Sequence, residues 1–164
     1  NRFKIRSRKY EDGREFFEIN FKNNKSRMIK SRYEIPPNKD PLIIFRKNLK
    51  EKANCDSKRL FKSLVTNYSR ITLISKTSNE RVTIDKNLHF FGKKNIFLKD
   101  FLIVEIKYKS HKNKSKMMNF FKSNKIVPVS FSKYCMGIAL TVPNIKKNNF
   151  KVILSKLNKN MEIN

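Results

Sequence analysis

The chain has 164 residues, the size of a single domain, and 38% hydrophobic content with 14 phenylalanines argues for a buried core and against a disordered segment. Its 39 Lys and Arg against 13 Asp and Glu leave a net charge of +26, which points to a polyanionic partner. Cys55 and Cys135 are isolated thiols suited to a reducing compartment, His89 and His111 are too few and too scattered for a zinc site, and no apolar run reaches membrane-spanning length.

Residues 2–10 place Arg2, Lys4, Arg6, Arg8 and Tyr10 at alternate positions, with Phe3 and Ile5 between them. As a strand this segment has one cationic face and one apolar face. Residues 11–14, with Gly13, form a turn. A second strand over 16–22 alternates Glu18, Asn20 and Lys22 with Phe17, Ile19 and Phe21; after a turn at 23–26, a third over 27–33 alternates Met28, Lys30 and Arg32 with Ile29, Ser31 and Tyr33. The three form a meander that ends at Pro36 and Pro37, since proline cannot donate to a ladder. Tyr10 and Tyr33 read as packing residues.

From 42 to about 65 the spacing becomes helical, through Leu42, Phe45 and Leu49 and again through Leu60, Phe61, Leu64 and Val65, with a break at 54–57. Strands return over 68–75 and 80–90, where Tyr68, Arg70 and Thr72 alternate with Ile71 and Leu73, and Arg81, Thr83 and Asp85 with Val82, Ile84 and Leu88. After a loop at 92–95, residues 96–109 contain the last long strand, alternating Glu105, Lys107 and Lys109 with Val104, Ile106 and Tyr108. A basic linker over 110–116 leads to a short helix over 116–124, whose Met117, Met118, Phe120 and Phe121 read as core contacts. Residues 126–131 are extended, Ser132-Lys133-Tyr134 leads into the apolar run 135–140, and a basic amphipathic helix is expected within 144–160. All ten arginines lie at or before position 81, several of them on the polar faces, so arginine is more informative here than the widespread lysine.

In order and spacing the segments Lys4-Ile5-Arg6-Ser7-Arg8-Lys9-Tyr10, Phe17-Glu18-Ile19, Lys30-Ser31-Arg32, Tyr68-Ser69-Arg70, Arg81-Val82-Thr83-Ile84-Asp85, Val104-Glu105-Ile106-Lys107 and Ser130-Phe131-Ser132-Lys133-Tyr134 together resemble a VTC-type polyphosphate polymerase domain of the triphosphate tunnel metalloenzyme superfamily. The resemblance implies an α+β fold: an eight-stranded antiparallel β-tunnel, or barrel, with a basic lumen and helices packed outside. It implies a tunnel domain over 1–143, with 144–164 as a basic helical tail of the same domain. The implied reaction transfers the γ-phosphoryl group of ATP to a growing inorganic polyphosphate chain, with Mn²⁺ or Mg²⁺ as cofactor.

By the same likeness Arg6, Arg8, Lys30, Arg70, Arg81 and Lys133 are the catalytic cations. Lys4, Lys22, Arg32, Tyr68, Lys107 and Ser132 bind substrate, and Glu105 and Glu18 hold the metal. This chain departs from the pattern in three places: the family's first strand has no counterpart here, Asn20 stands where a lysine is usual, and Thr83 where some members carry arginine.

The residues also admit plainer roles. The Arg6/Arg8 row suits a nucleic-acid surface, although Phe3, Phe17 and Phe21 alternate away from the charges and so disfavour base stacking beside phosphate contacts. Glu105 suits a salt bridge, Asp85 a structural arginine partner, and Ser132 a helix N-cap. Hydrolysis of triphosphate, as in other tunnel enzymes, and non-catalytic polyanion binding are the alternative functions. The expected location is cytoplasmic, or the cytoplasmic face of a membrane if this chain, which opens almost inside a strand without an initiator methionine, is a fragment separated from an anchor or partner domain.

Overall fold

The computed structural model describes residues 2–22, 28–37, 39, 41–53, 60–108, 115–157 and 161–163. The chain falls into two compact units, Asn1–Phe61 and Lys62–Asn164. Both combine antiparallel strands with helices, so the fold is α+β as expected, with its described strands in two sheets, one in each unit.

In the first unit, β1 (Arg2–Lys9), β2 (Glu15–Lys22) and β3 (Met28–Ile35) form the expected meander in the order β1-β2-β3. Gly13 takes φ 85° in the first turn, a conformation that glycine adopts without steric cost, and the Tyr10 and Arg14 backbones close that turn at 2.9 Å. The turn expected at 23–26 lies outside the described residues. β3 ends at Ile35, one residue before the prolines. Helix α1 (Pro41–Ala53) opens on a proline, whose fixed φ suits a first helical turn. Its Leu49, Ile44 and Phe45 cover the apolar side of the sheet, where Phe17, Ile19 and Ile35 are buried. The rings of Phe17 and Phe45 lie 3.7 Å apart between centroids. One face of the meander is thereby committed to the core, and the other carries the charged row.

The second unit is built on β5 (Glu80–Phe91), the longest strand. β4 (Val65–Ile74) runs along one edge, while β6 (Asn95–Leu98) and β7 (Ile103–Tyr108) divide the other; β8 (Met161–Ile163) pairs with β6. The β4–β5 register shifts between Asn67 and Ser69, and Asn87 takes φ 54°. An extra residue reverses strand alternation. Leu88, expected on the face of Val82 and Ile84, instead joins Phe90, Ile96, Leu98, Met136 and Leu157 in a core. Helix α3 (Lys133–Thr141) packs here through Gly137, where an added Cβ would lie 2.5 Å from Leu64 and 2.6 Å from Phe90. Helix α2 (Lys116–Ser123) is capped by the Ser115 hydroxyl, which also bonds the buried Glu80.

Several sequence expectations need correction. Residues 60–64 are irregular rather than helical, Phe61 is 86% exposed, and Val65 already belongs to β4; the helix break at 54–57 falls outside the described residues. The apolar spacing from Leu60 to Val65 covers only six residues, too few to distinguish a helix from an irregular stretch. The expected strand within 96–109 is two strands, because Asp100 takes φ 51° and turns the chain between β6 and β7. None of Met117, Met118, Phe120 and Phe121 is fully buried, so α2 is a surface helix. Residues 126–131 have no strand partner. The expected C-terminal helix is a 3-10 turn (Asn148–Phe150) followed by α4 (Lys151–Leu157), and β8 was not foreseen. The linker expected over 110–116 lies outside the described residues up to position 114, as does Lys109. Among the described residues no helix is long and apolar enough to cross a membrane.

Candidate functional site

Strand register in the first unit gathers the cations. The cross-strand rows are Arg6–Glu18–Arg32, Lys4–Asn20–Lys30, Arg8–Phe16–Glu34 and Arg2–Lys22–Met28, and directly paired residues share a face. Arg6, Arg8, Lys4, Lys22, Lys30 and Arg32 therefore all lie on the face opposite Phe3, Phe17 and Phe21. Glu18 is the hub of this face. Arg6 Nε donates to Oε2 at 2.5 Å, Arg32 Nε stands 3.6 Å from Oε1, and an Arg8 amino nitrogen 3.9 Å from Oε2. Burial opposes ionisation of Glu18, but hydrogen bonding and charge from Arg6, with Arg8 and Arg32 behind it, hold its pKa below the ordinary value.

Tyr10 is more than a packing residue. Its hydroxyl accepts from Arg8 at 3.1 Å and Arg32 at 3.0 Å, and its pKa is lowered because these guanidinium groups outweigh the effect of burial. The Arg32 guanidinium also lies 3.8 Å over the Phe16 ring. The signal was in the sequence, since Tyr10 continues the alternation that carries Arg6 and Arg8. Tyr33, by contrast, packs against the core as expected.

The second unit repeats this logic around a deeper carboxylate. Its rows are Arg70–Asp85–Ile103, Thr72–Thr83–Glu105 and Ile74–Arg81–Lys107, so Arg70, Thr83, Asp85, Arg81, Glu105 and Lys107 share one face. Asp85 is fully buried, and Arg70 binds it with two parallel hydrogen bonds of 2.6 and 2.8 Å. From helix α3, Lys133 Nζ reaches its Oδ2 at 2.5 Å. The Tyr68 ring lies beside both cations, 5.2 Å from Arg70 and 5.0 Å from Lys133.

The local sequence explains how Lys133 arrives. Ser132 accepts a hydrogen bond from the Cys135 amide as the N-cap of α3, which makes Lys133 the first helical residue, and the close approach at Gly137 seats that helix on the sheet. Burial opposes ionisation of Asp85, and the bonds from Arg70 and Lys133 more than offset it, so its pKa is lowered. The Asp85 bond raises that of Arg70.

Arg81 is exposed, near the other end of the same face, and Lys107 bonds Glu105 at 3.0 Å. Glu105 is nearly half exposed; burial raises its pKa, but Lys107, Lys133 and Arg70 together lower it. Among the described residues no three of His, Cys, Asp and Glu form a metal cluster. The donor chemistry still allows one reading, because Mg²⁺ and Mn²⁺ take oxygen ligands and share the rest of their shell between water and phosphate, so a single exposed carboxylate such as Glu105 suffices. Across the strand from it, the buried Thr83 hydroxyl has no hydrogen-bond partner among the described residues. Glu18 fits less well, since the arginines already surround both its oxygens.

The two sets divide cleanly. Arg6, Arg8, Lys30, Lys4, Lys22, Arg32 and Glu18 lie on one face of the first unit. Tyr68, Arg70, Arg81, Lys107, Glu105, Ser132 and Lys133 belong to the second, where Arg70, Lys133 and Tyr68 meet at Asp85. Sequence reasoning gave Asp85 an arginine partner but not its lysine, because 48 residues separate Asp85 from Lys133 and no local pattern joins them.

No curated protein and no solved structure matches the chain. The family model described as the VTC domain, however, matches residues 1–142, which contain all the cations and carboxylates of both faces. With that match over most of its length, and with the resemblance drawn from its motifs borne out, the chain belongs to the VTC domain family.

Proposed function

We propose that this VTC domain is a polyphosphate polymerase that moves the γ-phosphoryl group of ATP onto the end of an inorganic polyphosphate chain. The observation that carries this reading is the meeting of Arg70, Lys133 and Tyr68 over buried Asp85, on a sheet face that also presents Arg81, Lys107 and Glu105. A surface evolved only for solubility has no need to hold an arginine and a lysine from distant segments in fixed positions above one carboxylate.

Phosphoryl transfer asks little covalent chemistry of a protein and depends on positioning and charge. In the proposed reaction the bond between the γ-phosphorus and the β,γ-bridging oxygen breaks, and ADP leaves with the electron pair. A terminal oxygen of the polyphosphate chain forms the new bond to phosphorus. Arg70 and Lys133, oriented by Asp85, are placed to hold phosphate oxygens as charge shifts toward the leaving group. Arg6, Arg8 and Arg32, braced by Glu18 and Tyr10, form a second rigid donor set. Lys4, Lys22 and Lys30 add positive charge to the first unit's face, and Arg81 and Lys107 add it to the second unit's face.

Glu105 is the residue that would hold Mn²⁺ or Mg²⁺, which when bound supplies charge neutralisation on the phosphate oxygens. The tunnel that the family likeness implies is part of the same proposal. Base stacking is disfavoured on the first unit's basic face, because Phe17 is buried, Phe3 and Phe21 stack on each other on the opposite side, and Phe16 lies under Arg32.

Incubation of the protein with ATP and Mn²⁺, followed by electrophoresis of phosphate polymers, tests the proposal. Long-chain polyphosphate is the expected product. Free phosphate alone would make the protein a triphosphate hydrolase, and neither product together with tight oligonucleotide binding would make it a polyanion-binding module.

A further inference from the structure

Every residue from 122 to 130 is exposed, although the segment contains an apolar run. Lys125 takes φ 58°; its amide donates to the Lys122 carbonyl at 2.9 Å, and the Ile126 amide donates to that of Phe121 at 2.8 Å. This pair of bonds is a Schellman motif, which ends α2 and fixes the direction in which the chain leaves it. The chain continues as Ile126-Val127-Pro128-Val129 with no strand partner among the described residues. Phe120 in the last helical turn, and Ile126, Val127 and Val129 after it, are each between 52% and 76% exposed. A single exposed apolar residue is ordinary, but four so close in sequence, on a backbone held by a defined cap, make a patch.

The charge that accompanies this patch has one sign. Lys116, Lys122 and Lys125 are exposed, and no aspartate or glutamate occurs between Glu105 and Glu162, a stretch that contains 13 lysines. Lysine is common along the whole chain, so the missing carboxylates are the informative feature. Glu80, which meets the start of α2, is buried and bonded by the Ser115 hydroxyl. Exposed aliphatic and aromatic side chains interleaved with lysines suit the boundary of an anionic bilayer, where apolar groups enter the acyl region and ammonium groups stay with the headgroups. A protein partner suits the patch less well, because a stable protein interface takes roughly 20–30 residues a side.

We propose that the end of α2 and residues 126–129 form a docking site for an anionic lipid bilayer. Phe120, Ile126, Val127 and Val129 enter the boundary between headgroups and acyl chains, while Lys116, Lys122 and Lys125 meet anionic headgroups. The site is separate from the polymerase reading, since none of these residues belongs to either basic face. It would hold the domain at a membrane surface without a spanning helix.

Flotation of the full chain with phosphatidylcholine vesicles, with and without phosphatidylserine at fixed salt, tests the proposal. A chain of net charge +26 is drawn to any anionic surface, so the decisive variants leave the charge unchanged. The double variant Val127→Ser/Val129→Ser changes side chains that lie mostly in solvent, so it should melt as the wild type does. It should bind phosphatidylserine vesicles at least about tenfold more weakly, the loss expected for two inserted valines. Lys122→Gln should bind about fivefold more weakly. Ile43→Ser, which alters an exposed apolar residue of α1, should bind as the wild type does. The chain has no tryptophan, so Val127→Trp supplies a sole indole, whose emission should shift to the blue with phosphatidylserine vesicles and be quenched by brominated lipid.

Equal vesicle affinity of the wild type and the serine pair, or an indole that stays in water, overturns the proposal by reducing binding to attraction of the basic faces. An equal loss in Ile43→Ser overturns it too, by showing that any exposed apolar residue contributes. A wild type that ignores phosphatidylserine vesicles but binds a protein through Val127 and Val129 would assign the patch to that protein instead. Should the serine pair lower the melting temperature, the indole readout decides alone. Polymer synthesis in solution should be unchanged in the serine pair, so failure of the docking site and failure of the polymerase reading are distinguishable.

Discussion

Asp85 has no exposed surface and remains charged, because two cations replace the water it lost. Removing its charge leaves Arg70 and Lys133 facing each other without a counterion. Both retain some contact with solvent, at 31% and 22% side-chain exposure, so the cost stays below that of a wholly buried broken pair. Asp85→Asn should destabilise the protein by about 2 kcal/mol at pH 7, which urea titration would measure. The folded pKa of Asp85 lies below its unfolded value, so its stabilisation is present above about pH 4 and is lost as pH falls through the folded pKa. The wild type and the variant should therefore converge in strongly acidic solution. Equal stability at pH 7 would mean that the carboxylate does not hold these cations.

At the scale of elements, helix α3 positions the second unit's lysine. Ser132 sets where the helix begins, and Gly137 sets how closely it lies on the sheet, since an added methyl would meet Leu64 and Phe90 well inside contact distance. Gly137→Ala should cost about 1–3 kcal/mol by overpacking, in spite of alanine's better helix propensity, and thermal melting would show it. A variant as stable as the wild type would mean that α3 can shift without strain. The alternating strands were legible from sequence because a two-residue period leaves a mark in four or five residues, and β1, β2, β4 and β5 all carry it. The division of β6 from β7 was not, because it depends on Asp100 adopting a left-handed conformation that aspartate tolerates but does not announce. Nor was β8, three residues whose pairing with β6 is made over a long separation in sequence.

For the molecule as a whole, a net charge of +26 has to be tolerated in the folded state. Two like charges about 7 Å apart at an effective dielectric near 20 repel by about 2 kcal/mol, and each basic face contains several such pairs, relieved in part by Glu18, Asp85 and Glu105. A bound polyanion would relieve more, so tripolyphosphate should raise the melting temperature well beyond sodium chloride at equal ionic strength. An equal rise with both salts would reduce the basic faces to ordinary screened surface.

The sequence alone determined the period-two strands and the sidedness of their charges, since both are written in the spacing of neighbouring residues, and its motifs carried the family likeness that the family model bears out. Tertiary structure decided that Asp85 gathers Arg70 and Lys133 and that Tyr10 braces two arginines. The reason is that local periodicity fixes which way a side chain points, whereas its partner is fixed by strand register and helix docking, which bring together residues far apart in the chain.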